Sequence, residues 1–322
     1  MTAVDTQALR AGNRRALAKA ITLAESSRDV DREAAQQLLE ELLPHTGKSI
    51  RIGISGVPGV GKSTFIESFG QLLIGQGKRV AVLAVDPSSP IAGGSIMGDK
   101  TRMEQLSREE NVFIRPSPSG GALGGVAQKT RESMLLCEAA GYDLIIVETV
   151  GVGQSEFQVA GMVDFFMLLM LPGGGDELQG IKKGIVELAD AIVINKSDGD
   201  SARIASSTQS QYQSAMSLLR NDAHWEPQVL RCSALEKTGI DEVWACVVDY
   251  VERTSKSGFF AAQRNAQNRD WMHQLVESML LARLSASPAV SRALPGLEQA
   301  VQTQSKTPYN AAREILSLLD QA

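Results

Sequence analysis

The chain is poor in the side chains that build disulfides and metal cages, with only three cysteines and three histidines among its 322 residues. The cysteine count is odd and no Cys-x-x-Cys pair occurs, so we expect no disulfides and a cytoplasmic protein that is kept reduced. The histidines lie far apart in the sequence, which argues against a metal site built from them.

Long hydrophobic runs and an excess of basic residues are also missing. The longest apolar run, residues 165–171, is far too short to cross a membrane, and the N-terminus carries no apolar signal core. The net charge of −5 and the pI near 5.4 argue against a nucleic-acid carrier, which usually presents a basic face. We therefore expect neither a membrane nor a nucleic acid as a partner.

The most informative segment, residues 56–63, has the spacing Gly-x-x-x-x-Gly-Lys-Ser of a phosphate-binding loop. Its glycines let backbone N–H groups crowd around phosphate oxygens, while the lysine reaches the outer phosphates and the serine hydroxyl ligates Mg²⁺. Residues 49–55 predict a buried strand and residues 64–73 a helix whose N-terminus faces the anion, which favours this interpretation over a Gly-rich turn. The predicted nucleotide contacts are Gly56, Val57, Pro58, Gly59, Val60, Gly61, Lys62, Ser63 and Thr64.

Two further segments predict which base the nucleotide carries. Residues 195–198 read Asn-Lys-Ser-Asp after an apolar strand, a pattern typical of GTP-binding proteins. The Asp198 carboxylate can accept from guanine N1–H and the exocyclic amine, a donor pair that adenine lacks, and Lys196 stacks its stem along the base. Residues 233–235 read Ser-Ala-Leu after another strand, where backbone N–H groups typically meet guanine O6. The predicted base contacts are Asn195, Lys196, Asp198, Ser233, Ala234 and Leu235.

Acidic residues at strand ends predict the metal ligands. Glu148 stands where common GTPases have the acid of Asp-x-x-Gly, which holds the water shell of Mg²⁺. Asp86 closes the strand after the phosphate loop's helix, and Asp99 follows in a Gly-Asp-Lys-Thr segment, with ordinary helix caps as the alternative for both. The candidate metal ligands are Ser63, Asp86, Asp99 and Glu148, and the candidate catalytic residues are Lys62, Glu148 and Asp99.

The alternation of short apolar runs and helical stretches predicts the fold. Most runs are rich in Val, Ile and Leu, as expected for strands covered on both faces, so we expect a doubly wound, mostly parallel α/β domain with ligand at the carboxyl ends of the strands. We predict a helical extension at 1–48, a phosphate-loop GTPase domain at 49–257 and a helical segment at 258–322. The predicted strands are 49–55, 79–85, 111–115, 143–148, 163–171, 191–195 and 228–232.

Both ends of the chain predict helices only. Residues 5–43 are expected to form two helices broken near residues 26–28. The C-terminal segment holds an apolar helical stripe between residues 271 and 284 and ends in a second helix over 310–319. Its length and apolar stripe favour a dimerisation arm over a lid on the domain.

Taken together, the motifs resemble one known family, the MeaB/ArgK-type GTPases, which include the human methylmalonic aciduria type A protein. The resemblance runs from about residue 5 to residue 260 and is looser beyond. The motifs that carry it are the phosphate loop, Val-Asp-Pro-Ser-Ser-Pro at 85–90, Gly-Gly-Ser-Ile-Met-Gly-Asp-Lys-Thr-Arg at 93–102, Glu-Thr-Val-Gly-Val-Gly-Gln-Ser-Glu at 148–156, Gly-Gly-Gly-Asp-Glu-Leu-Gln-Gly-Ile-Lys-Lys-Gly at 173–184 and Asn-Lys-Ser-Asp at 195–198.

This resemblance implies a GTPase of the signal-recognition and metallochaperone class, usually a homodimer, that chaperones adenosylcobalamin-dependent methylmalonyl-CoA mutase. Such proteins gate cofactor loading and protect the mutase from inactivation. GTP or GDP and Mg²⁺ are the implied ligands, and residues 173–184 look like the family's extra switch loop, with Lys182 and Lys183 as candidates for coupling to the mutase. The residues implied to hold phosphate and Mg²⁺ are Lys62, Ser63, Asp86, Asp99 and Glu148.

Three other functions stay open at this point. A nickel-insertion GTPase would want a His-rich segment or a Cys/His pair, which the scattered histidines do not supply. A kinase of a basic amino-acid transport system would need ATP preference, against which the Asn-Lys-x-Asp motif speaks. A regulatory GTP-binding module without any link to cobalamin is compatible with the same motifs.

The sequence predicts slow GTP hydrolysis by the isolated protein. GTPases orient the attacking water with a Gln directly after Asp-x-x-Gly, but this chain has Val152 there, with Gln154 out of that register. We expect a partner to quicken the reaction. A phosphate-release assay on the purified protein measures the rate, and unaided turnover on the order of tens per second would contradict the prediction.

Overall fold

The structure is a computed structural model that describes residues 4–85, 103–116, 123–149, 155–173, 183–219 and 224–319. The chain forms two compact units, residues 1–261 and residues 262–322. The division predicted from the sequence, with boundaries after residues 48 and 257, stays a prediction. None of the described helices is long and apolar enough to cross a membrane.

A sheet of seven parallel strands organises the first unit. Its strands are β1 (Ile50–Gly56), β2 (Val80–Val85), β3 (Val112–Arg115), β4 (Leu144–Thr149), β5 (Phe165–Met170), β6 (Ala191–Ile194) and β7 (Gln228–Arg231). The spatial order is β3-β2-β4-β1-β5-β6-β7, with parallel pairing throughout. This doubly wound arrangement confirms the predicted fold class, and each predicted strand occurs close to its expected position.

The strand sequences explain why the sheet is covered on both faces. β4 reads Leu-Ile-Ile-Val-Glu-Thr and β5 reads Phe-Phe-Met-Leu-Leu-Met, and every residue of both strands is buried. Apolar side chains on both faces suit central strands between two helical layers. β1 lies between them, with Ile54 beside Glu148 of β4 and Met167 of β5. The loop that follows β1 therefore starts at the middle of the sheet's carboxyl edge.

Helices on the two faces of the sheet build two hydrophobic cores. The helices of this unit are α1 (Thr6–Arg10), α2 (Arg14–Ala24), α3 (Asp29–Leu42), α4 (Lys62–Gly75), α5 (Leu123–Ala139), α6 (Ser155–Ala160), α7 (Lys183–Leu188), α8 (Ala202–Leu219) and α9 (Ile240–Lys256). Leu17 of α2 and Leu39 of α3 share one core with Ile145 of β4, whereas α4 and α9 contribute to the other. The N-terminal helices thus pack into the same core as the sheet. They number three and not the two predicted, because a further break separates α1 from α2, while the predicted break near residues 26–28 separates α2 from α3.

The second unit is helical, as predicted, with one helix more than expected. Its helices are α10 (Phe259–Ala286), which begins in the first unit, α11 (Pro288–Gln302) and α12 (Pro308–Leu319). α11 begins as many helices do, because the Ser287 hydroxyl accepts from Val290 N–H at 3.4 Å and Pro288 occupies the first turn. Pro295 lies inside α11, and because proline usually interrupts a helix, the sequence did not predict this element.

The apolar stripe predicted on α10 is exposed to a large extent. The exposed fractions of Met279 and Leu280 are 63% and 58%, and Met272, Val276 and Leu281 are exposed as well. Exposed apolar side chains at this density are unusual on a helix that has no partner. The dimerisation role of this segment stays a prediction.

A buried ion pair holds the amino end of β1 to α5. Arg51 Nε donates to Glu138 Oε1 at 2.9 Å, and the two side chains are 10% and 0% exposed. The second oxygen of Glu138 accepts from Gly47 N–H at 2.8 Å. Because both side chains are largely shielded from water, removal of one charge leaves the other poorly compensated.

Glu138→Gln should destabilise the first unit by about 3–5 kcal/mol, because the Arg51 guanidinium then stays buried without its counter-charge. Urea unfolding followed by circular dichroism measures the change. The matched control is Asp249→Asn, which breaks the Arg253–Asp249 pair on α9, where the side chains are 65% and 46% exposed. That exposed pair is expected to contribute about 0–1 kcal/mol. Equal losses in the two variants would contradict a structural role for the buried pair.

Candidate functional site

The predicted phosphate loop lies between β1 and α4 at the centre of the sheet's carboxyl edge. α4 starts at Lys62, directly after Gly61, whose φ of 91° lies in the left-handed region that favours glycine. A Cβ at Gly61 would lie 3.0 Å from the Asn195 side-chain nitrogen, so a larger residue would also press on the predicted guanine motif. The loop can therefore turn directly into the N-terminus of α4, the end of a helix that suits an anion.

Lys62 lies folded over its own loop. Its Nζ donates to the carbonyl of Gly56, the last residue of β1, at 2.9 Å, and the side chain is partly buried. Ser63 is partly buried beside it and Thr64 is exposed. An ammonium and a hydroxyl at the N-terminus of α4 are the groups that a phosphate loop offers to phosphate and Mg²⁺.

Asn195 connects the phosphate loop to the second guanine segment. Its Nδ2 donates to the Val60 carbonyl at 2.8 Å, and its Oδ1 accepts from Ala234 N–H at 3.0 Å. The side chain is only 1% exposed. The Cys232 thiol also approaches Oδ1, at 3.5 Å, and burial raises the pKa of this thiol to about 12, so it keeps its proton. One buried amide therefore ties together three segments distant in sequence.

Lys196, the residue after Asn195, also contacts the phosphate loop. Lys196 has a φ of 58°, and its Nζ donates to the Gly59 carbonyl at 2.8 Å. The aliphatic stem of Lys196 therefore reaches over to the phosphate loop, and a base can lie along this stem. Asp198 is partly exposed at the start of the next turn, and Ser197 N–H donates to the Cys232 carbonyl at 3.0 Å.

The segment 233–238 forms a tight turn. Ser233 and Thr238 exchange two backbone hydrogen bonds, of 2.9 and 3.1 Å, and the Ser233 hydroxyl accepts from Glu236 N–H at 3.1 Å. Leu235, at the tip, is 74% exposed. The Ala234 carbonyl accepts from the Ser68 hydroxyl of α4 at 2.6 Å, so this turn is anchored to the helix that starts at the phosphate loop.

Only part of the predicted metal site lies in the described part of the chain. Glu148 is buried at the end of β4, next to β1, and the following Thr149 donates through its hydroxyl to Ser55 Oγ at 2.9 Å. Ser63 lies on the first turn of α4, after the loop that follows the neighbouring strand β1. Among the described residues, no three His, Cys, Asp or Glu side chains gather into a metal-binding group. Outside the described residues lie Asp86, Asp99, Val152, Gln154 and most of the predicted switch loop, residues 174–182.

Sequence reasoning missed several side chains that shape this site. Ser68, Thr149 and Cys232 all contact predicted site residues or their strand neighbours. Thr149 lies inside the motif at 148–156, yet the motifs predict no role for any of the three. The available signal was position, because each stands at the end of a buried strand or on the first turns of α4. The structure does bring together the predicted phosphate loop, Asn195, Lys196 and Ala234, and the roles assigned to these residues stay predictions.

Comparison with known proteins agrees with this geometry. A family model described as Methylmalonyl Co-A mutase-associated GTPase MeaB matches residues 17–289. A relative from Caulobacter vibrioides, named a putative GTPase, is 56% identical over 308 residues, which cover 95% of this chain and 94% of the relative. A relative from Mus musculus, named methylmalonic aciduria type A homolog, mitochondrial, is 49% identical over 316 residues, with 95% and 76% covered.

A solved structure has the same fold as this chain. The crystal structure of a protein named LAO/AO transport system kinase is 42% identical, with a TM-score of 0.79 over 98% of this chain and 96% of that chain. The resemblance seen in the motifs is therefore confirmed over nearly the whole length. The chain belongs to the methylmalonyl-CoA mutase-associated GTPases of the MeaB family, and it is a GTPase.

Proposed function

We propose that the chain is a GTP-driven chaperone of adenosylcobalamin-dependent methylmalonyl-CoA mutase, which gates cofactor loading and protects the mutase from inactivation. Membership of a mutase-associated GTPase family supports the choice of partner. The single observation that carries the GTP-dependent part is the buried Asn195 amide, which joins the phosphate loop to the turn at 233–238. A ligand that spans both loops would engage them as one unit.

At the phosphate end, the loop N–H groups and Lys62 are the proposed grip on GTP. The Lys62 ammonium already stands at the loop, on the Gly56 carbonyl, and needs only to exchange that carbonyl for a phosphate oxygen. A Cβ at Gly59 would meet open space, so this position leaves room for a phosphate to approach the backbone. In this position Lys62 would also stabilise the negative charge that develops on the phosphates during hydrolysis.

Ser63 and Glu148 fit a magnesium site, because a hydroxyl and a carboxylate are the oxygen ligands that this ion prefers. Glu148 lies on β4, the strand next to β1, which leads into the phosphate loop. Its side chain is longer than the aspartate of common GTPases, which suits contact with Mg²⁺ through a water molecule. Asp86 and Asp99 are proposed to complete the set, Asp99 also as a catalytic carboxylate. Mg²⁺, when bound, would neutralise phosphate charge at this edge of the sheet.

At the base end, Asp198 is the proposed reader of guanine, with the Lys196 stem against the ring. Ser233, Ala234 and Leu235 would offer backbone N–H groups to the base oxygen. Because the Ala234 N–H already donates to Asn195 and the Ser233 N–H to the Thr238 carbonyl, the Leu235 N–H is the nearer candidate for that contact. The exposed Leu235 side chain would cover one side of the base from water.

Asp198→Asn should weaken GTP binding about 10- to 100-fold, because hydrogen bonds to a charged partner contribute about 1.5–3 kcal/mol. The same variant should gain affinity for xanthosine triphosphate, whose base presents an acceptor where guanine has its amine. Calorimetric titration with both nucleotides in the presence of Mg²⁺ measures the switch. The matched control is Asp200→Asn, an exposed neighbour that should leave both affinities unchanged. Unaltered GTP affinity in Asp198→Asn would mean that another group reads the base.

Chaperoning requires that the mutase sense the nucleotide. Residues 173–184 are the proposed coupling segment, with Lys182 and Lys183 as candidates for coupling to the mutase. We also propose a homodimer formed through the second unit, which the exposed apolar side chains of α10 support.

A cytoplasmic location is proposed as well, and the three cysteines are free and buried, which suits a reducing compartment.

Association with the mutase should depend on the bound nucleotide. A pull-down with tagged chain, probed for methylmalonyl-CoA mutase with and without a non-hydrolysable GTP analogue, tests this directly. In the Asp198→Asn variant the matching xanthosine analogue should restore the nucleotide effect, whereas the GTP analogue should not. If the wild-type chain retains no mutase under any nucleotide condition, the proposed chaperone function is wrong. The GTP site is tested separately, by the calorimetric titration of Asp198→Asn.

A further inference from the structure

A cleft of about 580 Å³ opens at the amino edge of the sheet, at the opposite ends of the strands from the nucleotide loops. We call it the amino-edge cleft. Its walls come from α1, from the linker before β1 and from the turn that joins α5 to β4. The side chains that bear on its chemistry are Gln7, Arg10, His45, Lys48, Glu138 and Asp143. The proposed GTPase cycle uses none of them.

Basic groups from two distant segments meet at this cleft. Arg10 lies on the last turn of α1, and Lys48 lies in the linker, close to His45. Within the described ranges, neither the Arg10 guanidinium nor the Lys48 ammonium has a hydrogen-bond or ion-pair partner. Two full positive charges therefore remain available to a ligand in the cleft.

The acidic side chains at the cleft are already engaged by other groups. Glu138 is held by Arg51 at 2.9 Å and by Gly47 N–H at 2.8 Å. One oxygen of Asp143 accepts from Arg79 N–H at 2.8 Å. These contacts fix the carboxylates in the floor and the turn. The Glu138 charge is balanced by Arg51, whereas Asp143 keeps its charge because its partner is a neutral N–H, so that Arg10 and Lys48 exceed the remaining carboxylate by one positive charge.

We propose that the amino-edge cleft binds a small polyanion whose charges are carried by phosphate or carboxylate groups. The volume falls within the range of small-molecule sites, about 300–1,000 Å³. Arginine offers a planar fork to either kind of anion, and lysine adds a compact charge. Because the whole chain carries a net charge of −5, an excess of positive charge at this cleft is a local feature, and it favours the approach of anions.

The test first fills the nucleotide site with GDP and Mg²⁺, so that the phosphate loop cannot contribute. Fructose 1,6-bisphosphate and citrate are then titrated separately at low ionic strength with free Mg²⁺ held constant, by calorimetry. At least one probe should bind with one-to-one stoichiometry, and the one that binds identifies phosphate or carboxylate as the preferred group. The double variant Arg10→Gln/Lys48→Gln should weaken this binding about tenfold or more, since two charge-assisted contacts are lost.

Two further variants make the result decisive. Arg15→Gln/Lys19→Gln likewise removes one arginine and one lysine charge, but from the exposed face of α2, outside the cleft. It should change the affinity by less than about twofold. Ala11→Phe fills the cleft without changing its charge and should weaken binding as well. Absence of binding of both probes to the wild-type chain, or equal weakening by the α2 variant, would overturn the proposal. GDP affinity should stay unchanged in every variant, which separates this test from the proposed GTPase function.

Discussion

The two hydrogen bonds of the buried Asn195 amide are the contact on which the nucleotide site depends. One end of the amide holds the Val60 carbonyl of the phosphate loop, and the other holds the Ala234 N–H of a turn some forty residues further along the chain. With the side chain 1% exposed, water cannot replace either partner. Each unpaired group would cost about 1–3 kcal/mol, which is why the phosphate and base ends of the site keep one relative geometry.

The sheet supplies the platform on which this contact forms. Parallel strands deliver all their carboxyl ends to one edge, so that the end of β4 and the segments that follow β1, β6 and β7 meet there although their sequences are far apart. Close packing stiffens the middle of this platform. A Cβ at Gly53 of β1 would lie 2.8–3.0 Å from side chains of Phe166, Val159 and Val163, so only glycine lets α6 and its following turn lie so close to the strand that enters the phosphate loop.

Most of the fold could be predicted because its signals are local. Short apolar runs, most of them rich in Val, Ile and Leu, marked the strands, and the motif at residues 56–63 marked the loop and the start of α4. The predictions fell short where local signals are incomplete. Pro295 hid α11, and periodicity marked the apolar stripe on α10 without showing that Met279 and Leu280 are mainly exposed. Neither exposure nor packing partners can be read from periodicity, since both depend on what the rest of the chain covers.

By itself, the sequence determined the family, the doubly wound sheet and the residue types around the nucleotide, because these follow from spacing within short segments. Only the tertiary structure decided that Asn195 bridges two loops, that Ser68 anchors the turn at 233–238 and that Arg10 and Lys48 share a cleft. It also placed the N-terminal helices in the core of the sheet. The physical reason is the same in each case: these contacts join side chains far apart in the chain, and the free energy that selects them comes from packing and hydrogen bonding in three dimensions.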